Sequence, residues 1–164
     1  STDSGPISPR AEVLLYAADK AQHVDELVVP ALAAGKVVIS DRYVDSTLAY
    51  QGAGRQVHVD EVEQVARWAT RDLRPHLTVL LDVDPAVAVS TKADPDRLES
   101  AGDQFHARAR QLFLDLAAAD PQRYLVLPAR DPREVIAAAV QQRVGNALAA
   151  AVPSLVLAWR FDHM

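Results

Sequence analysis

Three short apolar runs punctuate a chain that otherwise follows helical periodicity: Lys36 to Ser40 (KVVIS), Leu77 to Val83 (LTVLLDV) and Arg123 to Pro128 (RYLVLP). Each is nearly continuous in Val, Ile and Leu instead of alternating with polar residues, the pattern of a strand covered on both faces. The intervals between them are long enough for crossover helices. This alternation predicts a parallel α/β sheet flanked by helices, with ligands confined to the region beyond the carboxyl ends of the strands. The tips Asp41-Arg42-Tyr43 and Asp82-Val83-Asp84 fall there.

The first helix is expected from Ser8 as N-cap and Pro9 at the first helical position to Gly35 as the stop, with a kink at Pro30. Its inward stripe reads Val13, Leu14, Tyr16, Ala17, Ala21, Val24, Leu27, Val28, Ala31 and Leu32. A helical stretch around Asp45 to Gln51 precedes the loop Gly52 to Arg55, and a helix from Asp60 to Arg71 turns Val62, Val65, Ala66, Trp68 and Ala69 inward. Pro85 opens a short helix, and Ser90 to Asp96 reads as a polar loop. A helix from Ala101 to Ala119 buries Phe105, Ala109, Leu112, Phe113 and Leu116, and Asp131-Pro132 starts a final helix to about Ala151. Residues 152–164 have no definite form. No repeat or linker divides the chain, so residues 1–164 are read as one domain.

Composition excludes several functions. Seventeen basic residues against 22 acidic ones give a net charge of −5, without the basic excess of a nucleic-acid binder. With no cysteine, disulfides, thiol catalysis and Cys-ligated metals are ruled out. No apolar run approaches the roughly 18 to 20 residues of a membrane helix, and the start has no basic and apolar signal region, which points to the cytoplasm. Its five histidines show no paired metal-ligand spacing. None of the six glycines belongs to a G-x-x-x-x-G-K-[ST] loop that cradles phosphates.

The densest chemical text is Asp41 to Gly52. A carboxylate beside an arginine at a strand tip supplies a partner for a metal-bound water or hydroxyl and a bidentate phosphate clamp, while Thr47, Tyr50 and Gln51 share helical spacing and can face a polar ring and a sugar. An ordinary Asp41–Arg42 surface ion pair is the alternative. Tyr16 and Lys20 lie one turn apart, so that a ring and a cation meet a base together, or Tyr16 belongs to the core stripe. Lys92 and Asp96-Arg97-Leu98-Glu99 form a charged loop that closes over phosphates or is merely solvated.

Ser8 to Val24 (SPRAEVLLYAADKAQHV), Gly35 to Arg55 (GKVVISDRYVDSTLAYQGAGR), Leu77 to Pro85 (LTVLLDVDP), Asp96 to Ser100 (DRLES) and Phe105 to Arg110 (FHARAR) together resemble thymidylate kinases, in order and spacing from about Gly5 to Val144. The resemblance implies a P-loop kinase-like, three-layer α/β/α sheet and transfer of the ATP γ-phosphoryl group to dTMP with Mg2+. It implies that Arg42 clamps the dTMP phosphate and that Asp41 works near magnesium through water. Tyr16 stacks on thymine, Lys20 takes the place of an arginine that reads a thymine carbonyl, and Thr47 and Gln51 lie along the polar edge of the base. Tyr50 packs where a 2′-hydroxyl would clash. Lys92, Arg97 and Glu99 belong to a lid, with Arg97 catalytic. The implied partners are dTMP and ATP, and a homodimer is one assembly the resemblance admits. Family members also carry a P-loop strand and helix, and a second strand, ahead of the segment that opens here. The first of those strands lies between the ones matching Lys36 to Ser40 and Leu77 to Val83, so the expectation is a chain with two unpaired edges facing a gap and without turnover of its own. A non-catalytic nucleotide-binding protein that keeps only the monophosphate pocket is the alternative.

Overall fold

The computed structural model describes residues 7–54, 57–84, 97–150 and 155–159, with residues 52, 97–103 and 155–159 given by backbone alone. The expected short helix after Pro85 and the polar loop Ser90 to Asp96 lie outside the described residues.

Helix α1, Pro9–His23, starts as its text demands: the Ser8 hydroxyl accepts from the Ala11 N–H at 3.4 Å, and Pro9 occupies a position whose N–H has no helical acceptor. The kink expected at Pro30 takes the form of a π-helical turn, Val24–Val28, before α2, Val29–Ala33. Proline offers no N–H and crowds the carbonyl four residues back, and a wider turn accommodates both. Gly35 ends the unit at φ 71°, with its N–H on the Leu32 carbonyl at 2.9 Å and the Lys36 N–H on that of Ala31 at 3.0 Å. This paired closure needs a left-handed residue, which glycine supplies without steric cost. Then follow β1 (Val37–Asp41), α3 (Val44–Ala53), α4 (Val59–Ala69), β2 (Leu77–Asp82), α5 (Arg97–Ala119), β3 (Tyr124–Pro128), α6 (Arg133–Ala149) and β4 (Leu155–Trp159).

The sheet is parallel with order β1-β4-β2-β3. Strand β4 pairs along its whole length with β1, from Val37 with Leu155 to Asp41 with Trp159, and with β2 from Leu77 opposite Leu157 to Val79 opposite Trp159. The expectation of a gap with two unpaired edges is therefore corrected. Leu155-Val156-Leu157-Ala158-Trp159 is itself a continuous apolar run of the kind an interior parallel strand requires, and its pairing satisfies backbone groups of both neighbours.

Helix α6 covers one face of β2 and β3, where Leu77, Val79 and Leu81 meet Val140 with Ile136 and Val144 around them. On the other face Leu80 and Tyr124 meet Ala49 of α3 and Phe113 and Ala117 of α5. Outside α3 lie α1 and α4, joined through Val13, Leu48 and Val62. Three expectations of burial are corrected. Strand β1 is not covered on both faces: Val37 and Ile39 are 46% and 68% exposed, since among the described elements α6 packs on β2 and β3. Trp68 is exposed, since α4 presents its Val62, Ala66 and Ala69 edge to the neighbouring helices. Leu14 and Leu27 also face outward and Tyr16 is half exposed rather than part of the core, because the buried line of this helical unit narrows to Val13, Val24 and Val28.

Candidate functional site

The site begins at the carboxyl end of β1. Arg42 has φ 61°, a left-handed conformation that costs a residue with a Cβ about 1 to 2 kcal/mol. The Ser40 hydroxyl donates to the Arg42 carbonyl at 2.9 Å, which holds the turn. Such backbone strain gathers where a side chain must be presented in one direction. The reversal sends Tyr43 into the interior, where its hydroxyl donates to the Leu73 carbonyl at 3.1 Å and burial raises its pKa, while Arg42 stays at the surface. Among the described residues Arg42 forms no ion pair with Asp41. Its guanidinium carbon lies 5.5 Å from the centre of the Tyr50 ring instead.

Helix α3 leaves this turn with Thr47, Tyr50 and Gln51 on one face, as spacings of three and four residues require. Helix α1 places Tyr16 and Lys20 across from them. These five and Arg42 line one cavity of about 570 Å³. Burial lowers the pKa of Lys20, with the nearby Asp19 charge opposing it, and its Nζ lies 5.9 Å from the centre of the Tyr43 ring. Asp41 sits exposed at the end of β1 and is not part of the cavity wall. Arg97 and Glu99 lie in the first turn of α5, with side chains outside the described residues, as Lys92 is altogether.

Sequence reasoning missed Glu12, Tyr43, Ser46, Gly54 and Phe105 in this wall. Glu12 was signalled by its place one turn before Tyr16. Phe105 carries the same spacing signal as a core residue, and only the approach of α5 to α3 turns it toward the cavity, where it stacks on Tyr50 at 5.9 Å and 24°.

A buried polar cluster fixes α3 against the sheet. Asp45 is 6% exposed, with Arg123 at 3.9 Å and the Thr78 hydroxyl at 3.5 Å; Arg123 also donates to Asp120 at 3.0 Å. Burial, then the Asp45 charge, push the pKa of Tyr124 upward. At the C-terminal end of α3 the Arg108 guanidinium donates to the Ala53 carbonyl at 2.9 Å. The other strand tip is engaged: Arg110 grips Asp82 with two hydrogen bonds of 2.7 and 2.9 Å and reaches Asp84 at 3.5 Å. Among the described residues no three acidic or histidine side chains come together as a cage for a metal ion.

The whole wall thus offers an aromatic ring and a cation from α1, a polar helix face from α3, and a strained arginine at its mouth, an arrangement suited to a flat polar ring carrying an anion. Residues 1–140 match the family model described as thymidylate kinase. Curated relatives named thymidylate kinase include that of Cutibacterium acnes, 65% identical over 148 residues, which are 90% of this chain and 72% of the relative. That of Clavibacter michiganensis subsp. michiganensis is 52% identical over 150 residues, 89% of this chain and 71% of its own. That of Bifidobacterium longum is 51% identical over 139 residues, with 84% and 68% covered.

Proposed function

The chain belongs to the thymidylate kinase family, and on that premise we propose that the cavity between α1 and α3 is where dTMP binds for phosphorylation by ATP. One observation carries this reading: six side chains from three elements converge on a single cavity at the carboxyl end of β1, of a volume suited to a nucleotide.

Tyr16 lies against the thymine ring, and the Lys20 ammonium donates to a carbonyl of the base, one point charge where an arginine would offer a fork. Thr47 and Gln51 hydrogen-bond along the polar edge. Tyr50 fills the space beside the deoxyribose that a 2′-hydroxyl would need. Arg42 clamps the phosphate, so that one of its oxygens is presented to the γ-phosphorus of ATP and ADP leaves. Magnesium in such reactions takes one or two carboxylates and completes its shell with phosphate oxygens and water. Asp41, exposed at the end of β1 beside the cavity, would hold such an ion through water, and the ion would supply charge neutralisation. Lys92, Arg97 and Glu99 are assigned to the lid, with Arg97 meeting the transferred group.

Residues 1–164 contain no G-x-x-x-x-G-K-[ST] sequence, and phosphoryl transfer depends on backbone amides and a lysine that hold the β- and γ-phosphates. This favours, for the 164-residue chain, binding of dTMP without turnover. Calorimetric titration with dTMP, thymidine and ribothymidine monophosphate, paired with a coupled ADP-release assay, tests both parts. Saturable binding that prefers dTMP to the other two, with no ADP release above background, is expected. Absence of dTMP binding overturns the assignment of the cavity, and sustained ADP release overturns the restriction to binding.

A further inference from the structure

The Arg42 guanidinium is held near the ring of Tyr50, and the ring is held in turn by two phenylalanines of α5. Phe113 meets Tyr50 edge-on at 6.3 Å and 82° from within the core. Phe105 stacks on it at 5.9 Å and 24° from the cavity wall, and Phe105 is itself braced edge-on by His106 at 5.6 Å and 78°. An aromatic ring attracts a cation over its face and repels it at its edge, so the tilt of Tyr50 decides whether Arg42 is held or pushed away. The Ser40 hydroxyl fixes the backbone of Arg42 but leaves the long side chain several rotatable bonds.

We propose that Phe105 is a positioning residue for Arg42. Its stack sets the tilt of the Tyr50 ring, and the ring aims the guanidinium at the phosphate of the bound nucleotide. This rests on the reading of the cavity as the dTMP site. It adds that affinity for the phosphate, as distinct from the nucleoside, depends on a residue of another helix that does not touch the phosphate.

Titrations of the 164-residue chain with dTMP and with thymidine test it, the difference between the two ligands isolating the phosphate. Phe105→Leu keeps apolar bulk without a ring, and Phe105→Tyr keeps the ring. Phe105→Leu is expected to weaken dTMP binding about fivefold and thymidine binding less than about twofold, with Phe105→Tyr close to the parent on both. In an Arg42→Ala background, Phe105→Leu should add nothing to the loss for dTMP. Equal weakening of both ligands, an undiminished effect in the Arg42→Ala background, or parent-like dTMP binding by Phe105→Leu each overturn the role. A parent chain that binds dTMP no more tightly than thymidine refutes instead the phosphate clamp at Arg42, and this role with it. Thermal unfolding of each variant separates these outcomes from loss of the fold, and Phe105→Met, which also removes the ring while keeping apolar bulk, carries the same comparison if Phe105→Leu does not fold.

Discussion

Replacing Arg42 by glycine and, separately, by alanine sets two consequences of one residue against each other. At φ 61° any residue with a Cβ carries about 1 to 2 kcal/mol of strain, which alanine keeps and glycine removes. Glycine loses more freedom on folding, by about 0.5 to 1 kcal/mol, which offsets part of the gain. The glycine variant should therefore be more stable than the alanine variant by about 0.5 to 1 kcal/mol, or about 1 to 4 °C in Tm for a chain of this size. At most helix and strand positions the order is reversed. Both variants lose the same guanidinium, and a charged hydrogen bond contributes about 1.5 to 3 kcal/mol, so both should bind dTMP roughly ten- to a hundredfold more weakly. Urea unfolding with a shared m value measures the first difference, and calorimetric titration the second. Alanine outranking glycine in stability would refute the left-handed turn at Arg42. A loss of dTMP affinity below about threefold in both variants would refute the phosphate clamp.

Asp45→Ala leaves Arg123 largely buried with Asp120 as its remaining carboxylate, and urea unfolding should show a loss of about 3 kcal/mol. Lys20 binds a carbonyl only while protonated, and burial lowers its pKa, so affinity for thymidine should fall on the alkaline side at a lower pH than an ordinary lysine would give. Just below the ordinary lysine value the unfolded chain binds the extra proton, so this residue's contribution to stability rises with pH over the range in which binding falls. Lys20→Arg should abolish the difference, as titrations from neutral to alkaline pH would show. Ending the chain at residue 150 removes β4, the neighbour of both β1 and β2. Loss of a cooperative melt and a gain in hydrophobic-dye binding are expected, and a sharp melt would contradict an interior role for β4.

Local signals carried over well from sequence to structure. Ser8, Pro9 and Gly35 bound the first helical unit because capping is decided by neighbours in the chain. The face of Thr47, Tyr50 and Gln51 was legible for the same reason, since helical spacing alone places them together. What escaped depends on partners far away in sequence. Trp68 fits an inward periodicity yet stays exposed, because which edge of α4 is buried depends on where α1 and α3 lie. Phe105 reads as core until α5 is placed beside α3. The left-handed turn at Arg42 has no signal at all, as only glycine, asparagine or aspartate would have announced it. Five apolar residues at 155–159 are too short a run to separate strand from helix by pattern.

The place of β4 also sets an order of events. Strands β1 and β2 are synthesised before β4, and neither can acquire the neighbour between them until residues 155–159 have emerged from the ribosome. Closing the sheet thus joins Val37 to Leu155 across most of the chain, a contact whose entropic cost must be met before its hydrogen bonds form, and which makes folding slow. Until then the β1 sequence lacks its partner strand, and Val37 and Ile39, exposed even in the folded chain, leave it open to pairing with the same segment of another nascent chain. Encounters between β1 segments then compete with elongation through residue 159. Slower synthesis at the same temperature lengthens the vulnerable period, and a lower concentration of nascent chains makes it harmless.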